Sequence, residues 1–198
     1  EANARGKDVI LGPGINIIRT PLNGRNFEYL SEDPYLISKM VVGTIKGIQD
    51  QGVSACLKHY AANNQETNRM TIDVNMSERA LREIYLPGFK AAVMEGGVNT
   101  VMGAYNKFRG QWASHNYYLL NTILKHEWAF KGPVISDWAA THNTIEALYN
   151  GLDIEMGTEF SLKPFKGYNT FYLGDTVTTL VKEGKVKETV INEKIRRI

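Results

Sequence analysis

The sequence predicts an α/β fold built on a parallel sheet, of the (β/α)8 TIM-barrel-like kind, and three observations predict it. Short apolar runs alternate with longer runs of helical period, which is the pattern of βαβ units. Polar residues gather just after the strand-like runs, at Lys58-His59, Tyr105 and Asp137-Trp138, where a barrel collects catalytic groups from several strand ends onto one face. The phosphate-binding signatures of the competing open doubly wound sheet are missing. Gly12-Pro13-Gly14-Ile15-Asn16-Ile17 does not fit G-x-G-x-x-G, and no G-x-x-x-x-G-K-[S/T] occurs.

Each element follows from local pattern. Val9-Ile10-Leu11 running into Gly12-Pro13-Gly14 reads as strand then turn. Ser31-Glu32-Asp33-Pro34 offers capping groups ahead of a proline suited to a first helical turn. Ile37, Val41, Ile45 and Ile48 then recur at helical spacing until Gly52. Residues 53–57 read as a strand. Ser77 opens a helix through Leu81, Ile84 and Tyr85, kinked or broken at Pro87 and followed by the stop Gly96-Gly97. Residues 98–105 are strand-like and 118–128 helical. Gly132-Pro133 punctuates before the strand Val134-Ile135-Ser136, which ends on Asp137. Residues 139–149 read as helix, and 152–156 as a further strand. Residues 1–157 form the expected barrel part. Residues 158–198 form its edge and a helical exit segment, with helices near 175–181 and 189–198. A complete barrel of this kind takes about 250 residues, so 198 residues with five placed strands predict an incomplete one.

Composition narrows function. Hydrophobic residues are 43% and charged residues 22% of the chain, ordinary for a globular protein, so disordered and fibrous classes are excluded. The net charge of +2 presents no basic stripe for nucleic acid or an anionic membrane surface. No apolar run approaches the roughly 18 residues of a membrane span. The polar residues 1–8 are not a signal peptide. Cys56 is the single cysteine and has no internal disulfide partner. No His/Cys/Asp spacing matches a zinc site, so neither a metal nor a cofactor is expected.

Asp137 is the sharpest chemical candidate. A carboxylate at a strand end beside the Trp138 indole suits a sugar site, and it equally suits a helix N-cap; both readings stand on position alone. Lys58-His59 supplies several donors for hydroxyls, or is a solvated loop pair. Arg25, in Asn23-Gly24-Arg25-Asn26-Phe27-Glu28-Tyr29, and Arg69, in Gln65-Glu66-Thr67-Asn68-Arg69, read as binding-loop arginines or as exposed surface ones. His115, His126 and His142 read as surface or core histidines, His142 lying near Asp137 in sequence. Asn75-Met76-Ser77 is a glycosylation sequon of a kind that arises often by chance.

Taken together these segments resemble glycoside hydrolase family 3, its β-glucosidase-like branch. The resemblance covers about residues 1–157. It is carried by Leu11-Gly12-Pro13-Gly14-Ile15-Asn16, the stretch 21–34, Lys58-His59-Tyr60-Ala61-Ala62-Asn63-Asn64-Gln65-Glu66 and Met76-Ser77-Glu78-Arg79. Val101-Met102-Gly103-Ala104-Tyr105-Asn106, Val134-Ile135-Ser136-Asp137-Trp138 and Gly151-Leu152-Asp153-Ile154-Glu155-Met156 complete it in family order. The resemblance implies a retaining, exo-acting β-glycosidase with Asp137 as nucleophile. It further implies that Arg25, Lys58, His59 and Arg69 bond the glycone hydroxyls, with Tyr105 beside the nucleophile and Trp138 toward the aglycone. Neighbouring Lys, His and Arg are expected to favour the charged form of Asp137.

Lys58-His59 runs into Tyr60-Ala61-Ala62-Asn63 without the second histidine of the N-acetylhexosaminidase branch, which favours β-glucosidase and leaves β-xylosidase open. The resemblance also implies that the first barrel strand is missing from these residues, and that the acid/base glutamate of this branch lies in a C-terminal α/β sandwich domain of the same chain. Glu28, Glu66 and Glu155 match no such group, so the isolated chain is expected to be nearly inactive. The expected partner is a β-glucoside or a short β-linked oligosaccharide. Two other classes compete: a non-catalytic sugar-binding module, and a nucleotide-dependent α/β enzyme, the latter disfavoured by the missing phosphate loops.

Overall fold

A computed structural model describes residues 1–157 and 170–198. Its centre is a parallel sheet in the order β1 (Val9–Ile10), β2 (Ser54–Tyr60), β4 (Thr100–Gly103), β7 (Val134–Ile135). Ile154 adds a parallel bridge beside Ile135. The expected strand at 152–156 is therefore reduced to one bridging residue. The parallel α/β architecture agrees with the sequence, but the described strands form an open sheet and not a closed barrel.

Helix α1 (Pro34–Gln49) forms as its capping residues dictate: the Asp33 side chain accepts the backbone N–H groups of Tyr35 and Leu36, and Pro34 occupies the first turn. Its Ile37, Val41 and Ile45 face the core. The Ser77 hydroxyl likewise caps the short helix α2 (Glu78–Ala80) by accepting from the Ala80 N–H. This runs into a π-helical turn at Leu81–Tyr85, and α3 (Pro87–Met94) starts anew at the proline that was expected to break it. Helices α1 and α3 pack closely over the sheet. At Gly88 an added Cβ would come within 2.5 Å of the Ile37 side chain, so that crossing needs a glycine.

Along the parallel strands, alternate residues face opposite sides. Leu57, Val101 and Val134 point to the helices and join Ile37, Val41, Ile45 and Phe89 in the main core. Burying a leucine or valine of this kind stabilises by about 1.5–3 kcal/mol. Cys56, Met102 and Ile135 point to the other side and form a smaller cluster with the partly buried Trp138, Ile154 and Met156.

A second sheet, not foreseen in the sequence, joins β3 (Asp73–Val74), β5 (Lys107–Phe108) and β6 (Gln111–Trp112). Strands β5 and β6 form a tight hairpin across Arg109-Gly110, both at positive φ, as a two-residue turn requires. The Asp73 carboxylate accepts the Gly110 N–H.

The expected helix at 118–128 is present as a π-helical segment, Tyr118–Glu127. The expected helix at 139–149 is shortened to α4 (Thr144–Tyr149), because Ala139 has a left-handed φ of 59° and Asn143 is the residue that caps the helix. Helices α5 (Asp175–Lys182) and α6 (Glu188–Ile195) match the two expected near the C-terminus. Helix α6 docks against α4 and the segment that follows it through Lys194, whose buried ammonium donates to the Ala147 and Leu152 carbonyls. Residues 158–169, part of the expected exit segment, lie outside the described residues.

Candidate active site

Parallel strands carry their C-terminal ends to one edge, and chains leaving that edge converge there. Here β2 ends in Lys58-His59-Tyr60, β4 leads into Ala104-Tyr105, and β7 leads into Ser136-Asp137. The segment after β1 runs beside β2, with Ile15 N–H donating to the Lys58 carbonyl and Lys58 N–H to the Pro13 carbonyl. Strand β2 extends three residues beyond the expected strand at 53–57, so Lys58 and His59 belong to the strand itself. Between Leu57 and Tyr60 it advances three residues while β4 advances from Val101 to Gly103. The extra residue is a bulge, and a bulge re-aims side chains.

The Lys58–His59 and Tyr60–Ala61 peptide bonds are both cis. The Asn16 side chain clamps this stretch: its amide N–H donates to the His59 carbonyl and its amide oxygen accepts the His59 N–H, both at 2.9 Å.

Asp137 is only 6% exposed. Its Oδ1 accepts the Trp138 N–H at 2.8 Å, and its Oδ2 lies 3.5 Å from His59 Nε2. The helix-cap reading of Asp137 therefore falls, since α4 begins seven residues later under its own cap, Asn143. His59 is 1% exposed. Burial first, then the charges of Arg25, Lys58 and Arg69, push its pKa well below 6.5, so it is neutral near pH 7. A carboxylate only accepts, so the tautomer that suits this contact carries its proton on Nε2. His59 Nδ1, 3.4 Å from the Tyr29 hydroxyl, is then the acceptor.

Arg25 and Arg69 favour ionised Asp137, as expected of its cationic neighbours, but the net direction is upward. Burial raises its pKa. The Trp138 N–H, the Tyr105 hydroxyl and the charges of Arg25 and Arg69 oppose that rise without cancelling it. The depth of the carboxylate outweighs the charges around it. Tyr105 is itself held above its ordinary range by burial and by Asp137.

The other expected residues meet around the same carboxylate, joined by two acids. Lys58 Nζ lies 3.3 Å from Glu28 Oε2, and Arg25 Nε lies 2.5 Å from Glu28 Oε1. Arg25 also approaches Glu66 at 4.0 Å, and Arg69 pairs with Glu66 at 2.6 Å. The Arg69 guanidinium stacks over the Tyr105 ring at 4.6 Å. Burial raises the Glu28 pKa, but the Arg25 bond and the Lys58 charge outweigh it, so the carboxylate lies below its ordinary range.

Trp138 packs its indole against the smaller cluster. Gly157, at φ 51°, lies so close that a Cβ there would reach within 2.2 Å of the ring. His142 lies away from this cluster of charges: it stacks on Trp112 with ring centroids 4.0 Å apart, and its backbone N–H donates to His115 Nε2. Sequence reading missed Asn16, Tyr29, Glu28 and Glu66 as parts of the site. Their signal was that all four lie in the segments that carry the family resemblance.

A family model described as the glycosyl hydrolase family 3 N terminal domain matches residues 1–198. Beta-glucosidase BoGH3A of Bacteroides ovatus is 56% identical over 201 residues, taking in 100% of this chain and 27% of that protein. An exo-alpha-(1->6)-L-arabinopyranosidase of Bifidobacterium longum is 48% identical over 153 residues, 77% of this chain and 20% of that protein. The solved structure of beta-glucosidase 3B from Thermotoga neapolitana in complex with glucose matches with a TM-score of 0.91 at 47% identity, covering 100% of this chain and 27% of that one. The chain thus spans roughly a quarter of the length of the relatives it matches.

Proposed function

The chain belongs to glycosyl hydrolase family 3, through the N-terminal domain of that family, and from that premise we propose that it carries the nucleophile half of a retaining, exo-acting β-glucosidase. The observation that carries this reading is Asp137: a buried carboxylate with one oxygen on a backbone N–H and the other facing a neutral histidine. Three cationic side chains, Arg25, Lys58 and Arg69, stand around it, tied together by Glu28 and Glu66.

In this reading Asp137 attacks the anomeric carbon of a terminal β-D-glucosyl unit. The new bond joins its carboxylate oxygen to C1 as the bond from C1 to the aglycone oxygen breaks, and an acid protonates the departing oxygen. Water then cleaves the ester-like intermediate, releasing glucose in its starting configuration and returning the carboxylate. Arg25, Lys58, His59 and Arg69 bond the glycone hydroxyls, bonds that tighten as the ring flattens and add several kcal/mol. Tyr105 orients Asp137, and Trp138 borders the aglycone. The acid/base glutamate comes from outside these 198 residues, from a C-terminal α/β sandwich domain of the longer protein. Residues 1–157 are part of a (β/α)8 barrel, and 170–198 belong to its edge and exit.

The relative described as an arabinopyranosidase supports a second specificity, toward other pyranosides such as an arabinopyranoside or β-xyloside. The test follows an aryl β-glucoside by proton NMR with the full-length enzyme. Glucose appearing first as its β-anomer is the expected result, and the α-anomer first would contradict retention. Binding of glucose without turnover would make the site a sugar-binding module. Faster cleavage of a β-xyloside or an arabinopyranoside would replace the specificity and keep the mechanism.

A further inference from the structure

Glu28 and Glu66 have no part in bond making, yet each sits between two cations of the site. Together they form an alternating chain: Lys58, Glu28, Arg25, Glu66, Arg69. The side chains of Lys58, Arg25 and Glu28 are 17–20% exposed, and those of Glu66 and Arg69 are 26% and 33% exposed. Solvent screens such pairs weakly. Removing charges from water costs enough that buried pairs are a poor source of stability, and their best attested use is to specify one arrangement. Three cations aimed at a single pocket would repel one another. Two carboxylates leave the set with one net positive charge and fix each donor at a set distance.

We propose that Glu28 and Glu66 are positioning residues for the glycone-binding cations: Glu28 sets Lys58 against Arg25, and Glu66 sets Arg25 against Arg69. This rests on the β-glucosidase reading above. A glycone with several hydroxyls needs its donors placed to within about 0.5 Å. Long Lys and Arg side chains have several rotatable bonds, so an anchor on each charged end holds geometry that the stems alone do not. The same carboxylates moderate the field at the nucleophile. Around Asp137, β2 contributes His59 and Lys58, and the segment after β4 contributes Tyr105. The two loops contribute Arg25 and Arg69 with the two glutamates between them.

The test measures kcat and KM for an aryl β-glucoside against pH in the full-length enzyme, for wild type, Glu28→Gln, Glu66→Gln, Lys58→Met and the Glu28→Gln/Lys58→Met pair. The neutral isostere at 28 is expected to lower kcat/KM about tenfold. It is also expected to move the acid limb to lower pH, because one more unbalanced positive charge favours ionised Asp137. The pair should lose less than the sum of the two single losses, since Glu28 acts in part through Lys58 and in part through Arg25. An acid limb left in place, or losses that add in full, would overturn the proposal, as would lowered stability with an unmoved limb. Glu66→Gln carries the same test if Glu28→Gln does not fold. A wild-type enzyme that cleaves no glycoside overturns the functional reading itself, which the variants then cannot rescue. Activity in wild type with both variants unchanged overturns only the positioning role.

Discussion

The two faces of the parallel sheet are made by neighbouring residues and do different work. Leu57, Val101 and Val134 face the helices and are sealed in the main core with α1 and α3. Cys56, Met102 and Ile135, one position along each strand, face the other side, where the apolar cluster is small and its partners Trp138, Ile154 and Met156 are only partly buried. Ile135, Ile154 and Met156 also line an open cleft of about 660 Å³. The helix-facing side supplies rigidity. The opposite side runs up to the strand ends that carry His59 and Asp137. Sites that require precise geometry are best built on rigid elements, and here the rigid layer lies one residue behind the layer that leads to the candidate site.

Substitutions on the two sides should separate stability from chemistry. The largest effect is expected at Asp137→Ala, which should lower glucoside hydrolysis by on the order of 10⁴-fold or more while leaving the fold intact. Activity retained within tenfold would break the comparison at its chemical end. Next, Leu57→Ala should destabilise by about 2–5 kcal/mol in urea unfolding, against about 1 kcal/mol for Cys56→Ala. Equal losses would mean that the two faces are equally packed.

Arg69→Met should lower kcat/KM about tenfold and shift the acid limb upward, because a charge that favours ionised Asp137 is removed. A downward shift would contradict the electrostatics. The smallest effect is a gain. The folded pKa of Asp137 is raised above its ordinary 3.8, so the fold disfavours the charged form. That penalty is absent below the unfolded pKa and complete above the folded one. Asp137→Asn should therefore raise Tm by a few degrees near pH 7 and leave it unchanged near pH 3. A gain that persists at pH 3 would point to packing rather than charge.

The elements legible in the sequence were those decided locally. Asp33-Pro34 and the 3.6-residue spacing of Ile37, Val41 and Ile45 specify α1 by capping and amphipathicity, and the model places it there. Asp137 and Lys58-His59 were legible as candidates from their place at the ends of apolar strands, but position alone left a helix N-cap and a solvated loop pair equally open; burial and the 3.5 Å approach of His59 to Asp137 separate those readings. What depended on distant partners was not legible. The helix expected from residue 139 fails because Ala139 takes a left-handed φ and Trp138 turns onto Cys56, Met102 and Ile135, contacts made by strands far away in sequence. The β5–β6 hairpin hid behind Arg109-Gly110, a pair less recognisable than Asn-Gly. The bridging of Arg25 to Lys58 by Glu28 spans 33 residues of chain, and no local pattern announces it. The sign of the Asp137 shift depended on burial, which no count of neighbouring charges contains.

The central claim is that Asp137 becomes covalently attached to the sugar. Incubating the full-length enzyme with a 2-deoxy-2-fluoro aryl β-glucoside and mapping the modified peptide by mass spectrometry measures this directly. The activated leaving group reduces the need for the acid, and the fluorine slows release of the intermediate. One equivalent of fluoroglucosyl label on Asp137, absent from Asp137→Ala, is the predicted result. A label on another residue, or one that persists in Asp137→Ala, would contradict the account.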